Sequence, residues 1–266
     1  MSNPLVSVIV PTFNSESFLN NCLRSVREQS YSNIEIIIVD KYSTDKTKEI
    51  SEKFGAKVVL YKSNRSKARN IGVGLSNGEF ILSLDSDMEL TSNVIKECVS
   101  KVKSGFSAVI IPEFSAGEGF WAACRALEKI CYVGDDLIEA ARFFRKDLFK
   151  AVFGYDDQLV FGEDWALNQK IIKAGFKVGR INSFIKHNEG KLSLQQTMMK
   201  KNYYGKSLKD YYVKHPKEAK QQLLLIRPAF VRNWKKLVND PFHFFGMIVL
   251  KVCEFTSGWI GSKCRS

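Results

Sequence analysis

The sequence lacks most of the features that would place it quickly. Its six cysteines, Cys22, Cys98, Cys124, Cys131, Cys253 and Cys264, are scattered, with no Cys-x-x-Cys pair. That pattern excludes the usual zinc spacings and a disulfide framework, and reads as the reduced thiols of a cytosolic protein. Met1-Ser2-Asn3-Pro4 is not a basic region leading into a long apolar run, so no secretory signal is expected. No stretch reaches the ~18–20 uninterrupted apolar residues of a bilayer span. The longest late run, Phe242 to Leu250, is cut by Lys251 and Glu254. No internal repeat and no low-complexity segment occurs. No glycine-rich loop follows the first apolar run, where Pro11-Thr12-Phe13-Asn14 stands instead. A Rossmann dehydrogenase, which needs Gly-x-Gly-x-x-Gly there, is thereby excluded, and a sugar nucleotidyltransferase is disfavoured.

Acidic residues are also scarce. The 266 residues hold 28 Asp and Glu against 40 Lys and Arg, a net charge of +12. With 45% hydrophobic and 26% charged residues, the chain is an ordinary globular one, and its length allows one large domain or two small ones. A charge of +12 suggests a polyanionic partner: nucleic acid, an acidic membrane surface or a phosphorylated substrate. Its distribution narrows the choice. Residues 1–190 hold 25 basic and 24 acidic residues, whereas 191–266 hold 15 basic and 4 acidic. A neutral body with a basic final quarter is not the pattern of a nucleic-acid-binding domain, which is basic over its own binding face.

The body alternates strands and helices. Val6 to Val10 is a continuous apolar run ending at Pro11, the pattern of a parallel strand buried on both faces. Asn14 to Gln29 places Phe18, Leu19, Cys22, Leu23 and Val26 at helical spacing. Strands are expected at Ile34–Val39, Lys57–Tyr61, Phe80–Leu84 and Ala108–Ile111, with helices at 43–54, 67–75 and 93–103 between them. This βαβ spacing predicts a mostly parallel sheet over the first ~110 residues. Further on, helices are expected at 120–133, 164–174 and 192–212, and strands at 140–144 and 178–181. Polar residues cluster after the strands: Thr12 and Asn14, Asp40, then Asp85 and Asp87. Ligands of open α/β sheets bind beyond the carboxyl ends of the strands, so this clustering points to a nucleotide site.

Leu84-Asp85-Ser86-Asp87 is the sharpest feature. Carboxylates at i and i+2 on a strand end point the same way and suit a hard divalent cation with positions left for phosphate. Alone, the pattern equally describes a solvated acidic turn. Asp40 is placed to accept from a base or a ribose hydroxyl, or simply to cap the next helix. Glu163-Asp164 opens a helix whose positive end favours ionised carboxylates, which on its own is an ordinary capping arrangement.

Six segments carry a resemblance together. They are Val6 to Asn14; Ile36 to Asp40 with Ser43-Thr44-Asp45; Ala68-Arg69-Asn70-Ile71-Gly72; Gly78-Glu79-Phe80-Ile81; Leu84 to Asp87; and Gly162-Glu163-Asp164-Trp165. In this order and spacing the chain resembles glycosyltransferase family 2, the inverting enzymes of GT-A fold, over about residues 4–190. The resemblance implies an α/β GT-A fold with a mostly parallel nucleotide-binding sheet flanked by helices. It implies a catalytic domain at 1–190, split into a nucleotide-binding half (1–111) and an acceptor half (112–190). A basic helical extension then occupies 191–266. It implies transfer of a sugar from a nucleotide-sugar, a UDP-sugar or GDP-sugar, to an acceptor hydroxyl with Mg²⁺ or Mn²⁺.

Carried over by position, Pro11, Thr12, Asn14, Asp40 and Arg69 border the nucleotide, and Asp85 contacts ribose or the metal shell. Asp87 ligates the metal, and His187 is either a further ligand or a structural histidine. Lys200, Lys201 and Tyr204, on the helical stretch that follows, either cover the diphosphate or form a solvated basic face. Asp164 is the catalytic base, with Glu163 beside it. Lys41-Tyr42 stands where many relatives carry a second acid, and Phe153-Gly154 where many carry Gly-Gly. No Gln-x-x-Arg-Trp occurs, so transfer of a single sugar is expected rather than processive synthesis.

In the basic quarter, Phe230, Trp234, Leu237 and Val238 fall on one helical face with Arg232, Lys235 and Lys236 between them. This pattern fits either packing on the catalytic body or lying in an anionic membrane interface. With the resemblance, the expectation is a cytoplasmic enzyme held peripherally on the inner membrane face. Its acceptor would be a glycan or a polyprenyl-phosphate-linked precursor, with no nucleic acid partner. The remaining rival is a non-catalytic nucleic-acid or anion-binding protein using the basic quarter, which leaves Asp85, Asp87, Glu163 and Asp164 unexplained.

Overall fold

The computed structural model describes residues 3–263, so Met1 and Ser2 at one end and Cys264, Arg265 and Ser266 at the other lie outside the described residues. In chain order the elements are β1 (Val6–Thr12), α1 (Glu16–Arg27), β2 (Ile34–Asp40), α2 (Thr47–Lys53), β3 (Lys57–Leu60), α3 (Arg65–Leu75), β4 (Phe80–Ser83), β5 (Met88–Leu90), α4 (Val94–Lys103), β6 (Ala108–Ile110), β7 (Glu113–Glu118) and α5 (Phe120–Ile130). There follow β8 (Ala141–Arg145), α6 (Lys146–Ala151), α7 (Glu163–Lys173), β9 (Val178–Arg180), β10 (Ile185–Lys191), α8 (Leu194–Lys214), α9 (Pro216–Gln222), α10 (Pro228–Arg232), α11 (Trp234–Val238) and α12 (Pro241–Lys263).

The chain forms two compact units, and they are not consecutive in sequence. The first comprises Met1–Pro112, Ala140–Gln158 and Ala166–His187; the second comprises Glu113–Glu139, Leu159–Trp165 and Asn188–Ser266. The division expected at residue 190 is thus replaced by an interleaved one. The segment 113–139, assigned from sequence to the catalytic body, packs with the C-terminal helices.

The first unit holds a seven-stranded sheet in the order β3-β2-β1-β4-β8-β6-β9. It is parallel except for β8, which runs antiparallel to both neighbours. The apolar run of β1, interrupted only by Ser7 before Pro11, has a direct cause. Val6, Val8 and Val10 point into a core with Leu19 and Leu23 of α1 and Ile95 and Val99 of α4. Ile9 points the other way, into a core with Val73 of α3, Phe149 of α6 and Ile171 of α7. A strand covered on both faces has no position left for alternation. The first residues of β10 pair antiparallel with β5, setting His187 opposite Met88.

The second unit is built mainly from α5, α8 and α12. Helices α8 and α12 approach so closely that a Cβ on Gly205 would lie 2.2 Å from the Gly258 carbonyl oxygen, and one on Gly261 would lie 2.0 Å from that of Asn202. Small residues are what allow such contact. Cys124, Tyr132, Phe230, Leu237, Met247 and Leu250 form its apolar core. The single basic amphipathic helix expected around Phe230–Val238 is instead two short helices broken at Asn233. Phe230 and Leu237 are buried while Trp234 and Val238 are exposed.

Helix α12 differs more from expectation. It is long and apolar enough to cross a membrane by length and composition, with a mean hydropathy of 1.3 over its best 18 residues. Lys251 and Glu254, which interrupt its apolar run, are drawn into a buried ion network. Arg125 pairs with both Glu128 and Glu254. Lys251 lies 2.8 Å from Glu128 and 3.3 Å from Glu254, and Lys201 lies 3.5 Å from Glu254. Burial by itself would raise the Glu254 carboxyl, but Lys201, Arg125 and Lys251 override it and lower it to about 2.

Glu254 stabilises the fold fully above the ordinary Glu value near ~4.3, and this contribution drains as pH falls toward about 2. Glu254→Gln leaves three cations against one carboxylate and should cost about 3–5 kcal/mol at neutral pH. Urea unfolding followed by circular dichroism checks this: the variant should lose stability at pH 7 and show a shallower acid limb than the parent.

Candidate active site

The carboxyl ends of β1, β2 and β4 gather the polar residues of the first unit. Asp40, the last residue of β2, is buried with both carboxylate oxygens engaged. Thr12 Oγ1 donates to Oδ1 at 2.7 Å, Ser43 Oγ to Oδ1 at 2.5 Å, and the Ser43 backbone N–H to Oδ2 at 2.8 Å. Asp40 therefore organises the turn after β2. Asn14, in left-handed conformation (φ 48°), ties the turn after β1 to the same loop: its N–H donates to Ser43 Oγ, and its Oδ1 accepts from the Thr44 N–H. Phe13 and Tyr42, neither assigned a role from sequence, stand exposed on these two turns, with Lys41 Nζ 5.2 Å from the Phe13 ring centre.

Asp85 and Asp87 do not point the same way. They lie beyond β4 in a turn closed by a hydrogen bond from the Met88 N–H to the Asp85 carbonyl at 3.1 Å, so the strand periodicity expected for them does not apply. Asp85 faces the guanidinium of Arg69 at 2.7 Å, with Arg142 at 3.6 Å and Arg65 at 4.0 Å. Burial would raise the Asp85 carboxyl; the three guanidiniums, Arg69 foremost, outweigh that and hold it well below the usual carboxylate range. Arg69 is fully buried and lies over the Tyr155 ring, 5.1 Å from its centre. It was expected to face the nucleotide, yet its guanidinium is directed at Asp85. Arg65 and Arg142 escaped sequence reasoning because nothing local distinguishes them from surface arginines.

Asp87 has a different neighbour. Its Oδ2 lies 3.2 Å from His187 Nε2, across the β5–β10 pair. Its Oδ1 is buried and has no hydrogen-bond partner among the described residues. Among the described residues no group of three or more His, Cys, Asp or Glu side chains gathers as a metal site. Asp87 and His187 together still offer one buried unfilled carboxylate oxygen and one imidazole. This suits a cation that takes one or two protein ligands and completes its shell from phosphate and water. Neighbouring Cys22 is inert, because burial, reinforced by Asp87 and Asp85, pushes its thiol far up.

Glu163 and Asp164 belong to the second unit, at the start of α7. Gly162 before them has φ 72°, and a Cβ there would meet the Tyr211 ring of α8 at 2.8 Å. Tyr211 is itself fixed: its hydroxyl donates to Gln222 Oε1 at 2.5 Å, and Gln222 Nε2 donates to the Leu137 carbonyl at 2.7 Å. Trp165 packs edge-on to Phe161 and donates its indole N–H to the Ile138 carbonyl at 2.8 Å. Glu163 is buried and Asp164 is partly exposed. Lys201, expected to cover a diphosphate, pairs with Glu254, and burial pushes its ammonium down to about 8 although a third of its side chain stays accessible.

Comparison with known proteins bears on the family and the fold. The family model "Glycosyl transferase family 2" matches residues 7–172. Glycosyltransferase GlyG of Streptococcus pneumoniae is 34% identical over 117 residues, 41% of this chain and 39% of that protein. A Methanococcus voltae protein, dolichyl N-acetyl-alpha-D-glucosaminyl phosphate 3-beta-D-2,3-diacetamido-2,3-dideoxy-beta-D-glucuronosyltransferase, is 25% identical over 232 residues, 73% of this chain and 70% of its own. Among solved structures, the mannosyltransferase PcManGT of Pyrobaculum calidifontis, in complex with GDP-Man and Mn²⁺, superposes with a TM-score of 0.65 at 16% identity. That match covers 97% of this chain and 88% of PcManGT, which marks the fold as GT-A. The matched segments span less than two fifths of the length of the first curated relatives.

The two aspartates should separate in their effects on the metal-free protein. Asp85→Asn takes a buried carboxylate away from Arg69, Arg65 and Arg142 and should cost about 3–5 kcal/mol, whereas Asp87→Asn should stay within about 1 kcal/mol. Equilibrium urea unfolding of both variants reads the difference.

Proposed function

The chain belongs to glycosyl transferase family 2, and we propose that it is a metal-dependent inverting enzyme moving one sugar from a UDP-sugar or GDP-sugar to an acceptor hydroxyl. The observation that carries this reading is the Asp87–His187 pair beyond the carboxyl end of β4, with a buried carboxylate oxygen left unsatisfied.

In this proposal the turns after β1 and β2, braced by Asp40, Thr12 and Asn14, receive the nucleoside, and the exposed rings of Phe13 and Tyr42 offer it stacking surface. Pro11 shapes the same turn. Asp85, held ionised by Arg69, is the fixed acceptor nearest to Asp87 along the chain. Asp87 and His187 would hold Mg²⁺ or Mn²⁺, which when bound neutralises charge on the departing nucleoside diphosphate. Asp164 takes the proton from the acceptor hydroxyl as the oxygen forms its bond to the anomeric carbon opposite the leaving phosphate, so the configuration inverts. Glu163, buried at the first turn of α7, orients the segment that carries Asp164.

The acceptor proposed is a lipid-linked or cell-surface glycan precursor, and the location the inner face of a membrane. The Methanococcus relative is named for a dolichyl-linked acceptor, and the last 76 residues here carry 15 basic and 4 acidic residues.

A screen of UDP- and GDP-sugars with Mg²⁺ or Mn²⁺ and a short polyprenyl-phosphate glycan tests the reading. Asp164→Asn should lower transfer by about 10²–10⁴-fold while donor binding persists. Asp87→Asn should lower both transfer and metal-dependent donor binding. Full transfer by both variants would sink the mechanism.

A further inference from the structure

Helix α12 is two-faced in a way its composition hides. Gly246, Met247, Leu250, Glu254, Ser257 and Gly261 are buried, and they lie on one side of the helix. The opposite side carries Phe242, Phe245, Ile248, Val252, Phe255 and Trp259, spaced three or four residues apart and exposed by 44–70%. They form an apolar stripe along 23 residues, a length of about 34 Å. A stripe this long, open to water, marks an interaction surface.

We propose that this outward face of α12 docks in the plane of an anionic lipid bilayer, inserting its aromatic side chains to headgroup depth. The proposal deepens the membrane location suggested above and rests on it for its biological purpose. Three observations select this occupant. First, the charged residues of the helix interior, Lys251 and Glu254, are tied into the network with Arg125, Glu128 and Lys201 on the buried face. A transmembrane passage would have to break those pairs or carry them into hydrocarbon, where each charge is expensive, whereas lying in the plane leaves them untouched. Second, the net charge of the segment that carries the helix has the right sign: the last 76 residues hold 15 basic residues against 4 acidic, and the one acid inside α12 is the buried Glu254. A second copy of the same face would bring like charges together, while anionic headgroups would neutralise them. Third, a cation sits at the edge of the stripe, with Lys263 Nζ 3.7 Å above the Trp259 ring. An indole flanked by an ammonium is the pairing favoured at a membrane–water boundary.

The test is flotation of the full chain with vesicles of phosphatidylglycerol mixed into phosphatidylcholine, and with phosphatidylcholine alone, without donor or acceptor. The chain should float with the anionic vesicles, release in high salt, and bind the neutral ones weakly. Phe245→Ser with Phe255→Ser and Trp259→Ser changes only exposed positions and should lower partitioning by roughly tenfold or more. Acyl-brominated lipid should quench the tryptophan fluorescence of the parent, and Trp259→Phe should abolish that quenching, a readout independent of how the triple variant folds. Unchanged partitioning of the triple variant, or unchanged quenching in Trp259→Phe, overturns the proposal. So does resistance to salt and alkaline extraction, which would mean a spanning helix, or a dimer in lipid-free solution that the triple variant dissolves. Vesicle binding is read without sugar transfer, so either proposal can fail while the other stands.

Discussion

The contact between Arg69 and Asp85 governs the arrangement of the strand ends. A fully buried guanidinium needs a counter-charge, and helix α3 brings this one against the turn that follows β4. Asp85 is thereby committed, with Arg65 and Arg142 reinforcing the commitment. The turn in which it sits then sends Asp87, two residues on, toward His187. An Asp-x-Asp pair that looks symmetrical in sequence becomes one positioning carboxylate and one carboxylate with an unfilled oxygen. The same division applies after β2, where Asp40 spends its oxygens on Thr12 and Ser43 and leaves the neighbouring aromatic rings as the exposed surface.

Charge pairing also determines the character of the second unit. Lys251 and Glu254 would make α12 an imperfect apolar helix if they faced outward. Paired with Arg125, Glu128 and Lys201, they anchor one side of it and leave the other uncharged and mostly apolar. The network holds three cations against two carboxylates, and part of the strain falls on Lys201, whose ammonium is pushed down by burial. The basic excess of the C-terminal quarter is therefore not one feature. Some of it, Lys201 and Lys251, is internal and structural, while Lys263 stands beside the apolar helix face.

Much of the fold was legible in the residues. Apolar runs such as Val6 to Val10 and Ile34 to Val39, each with one polar residue (Ser7, Glu35), announced strands covered on both sides, and Leu19, Cys22, Leu23 and Val26 announced the buried stripe of α1. Strands β5, β7 and β10 were not legible. Met88-Glu89-Leu90 is too short to show a period, and Ile185 to Lys191 is almost wholly polar. All three strands exist because of the partners they pair with, and β10 lies far in sequence from the other two. The short helix α6 and the break at Asn233 were hidden for a similar reason: local apolar spacing was compatible with more than one course of the chain.

By itself, the sequence determined the alternation of strands and helices, the placement of polar residues after the strands, the family, and the concentration of positive charge after residue 190. These follow from local periodicity and from motifs a few residues long. Tertiary structure alone decided which carboxylates are engaged and which retain an open oxygen, where Arg69 and Lys201 point, and which side of α12 is left apolar and exposed. Those outcomes depend on burial and charge pairing between residues tens of positions apart. A buried charge takes whatever partner the fold delivers, and no local pattern records which one that is.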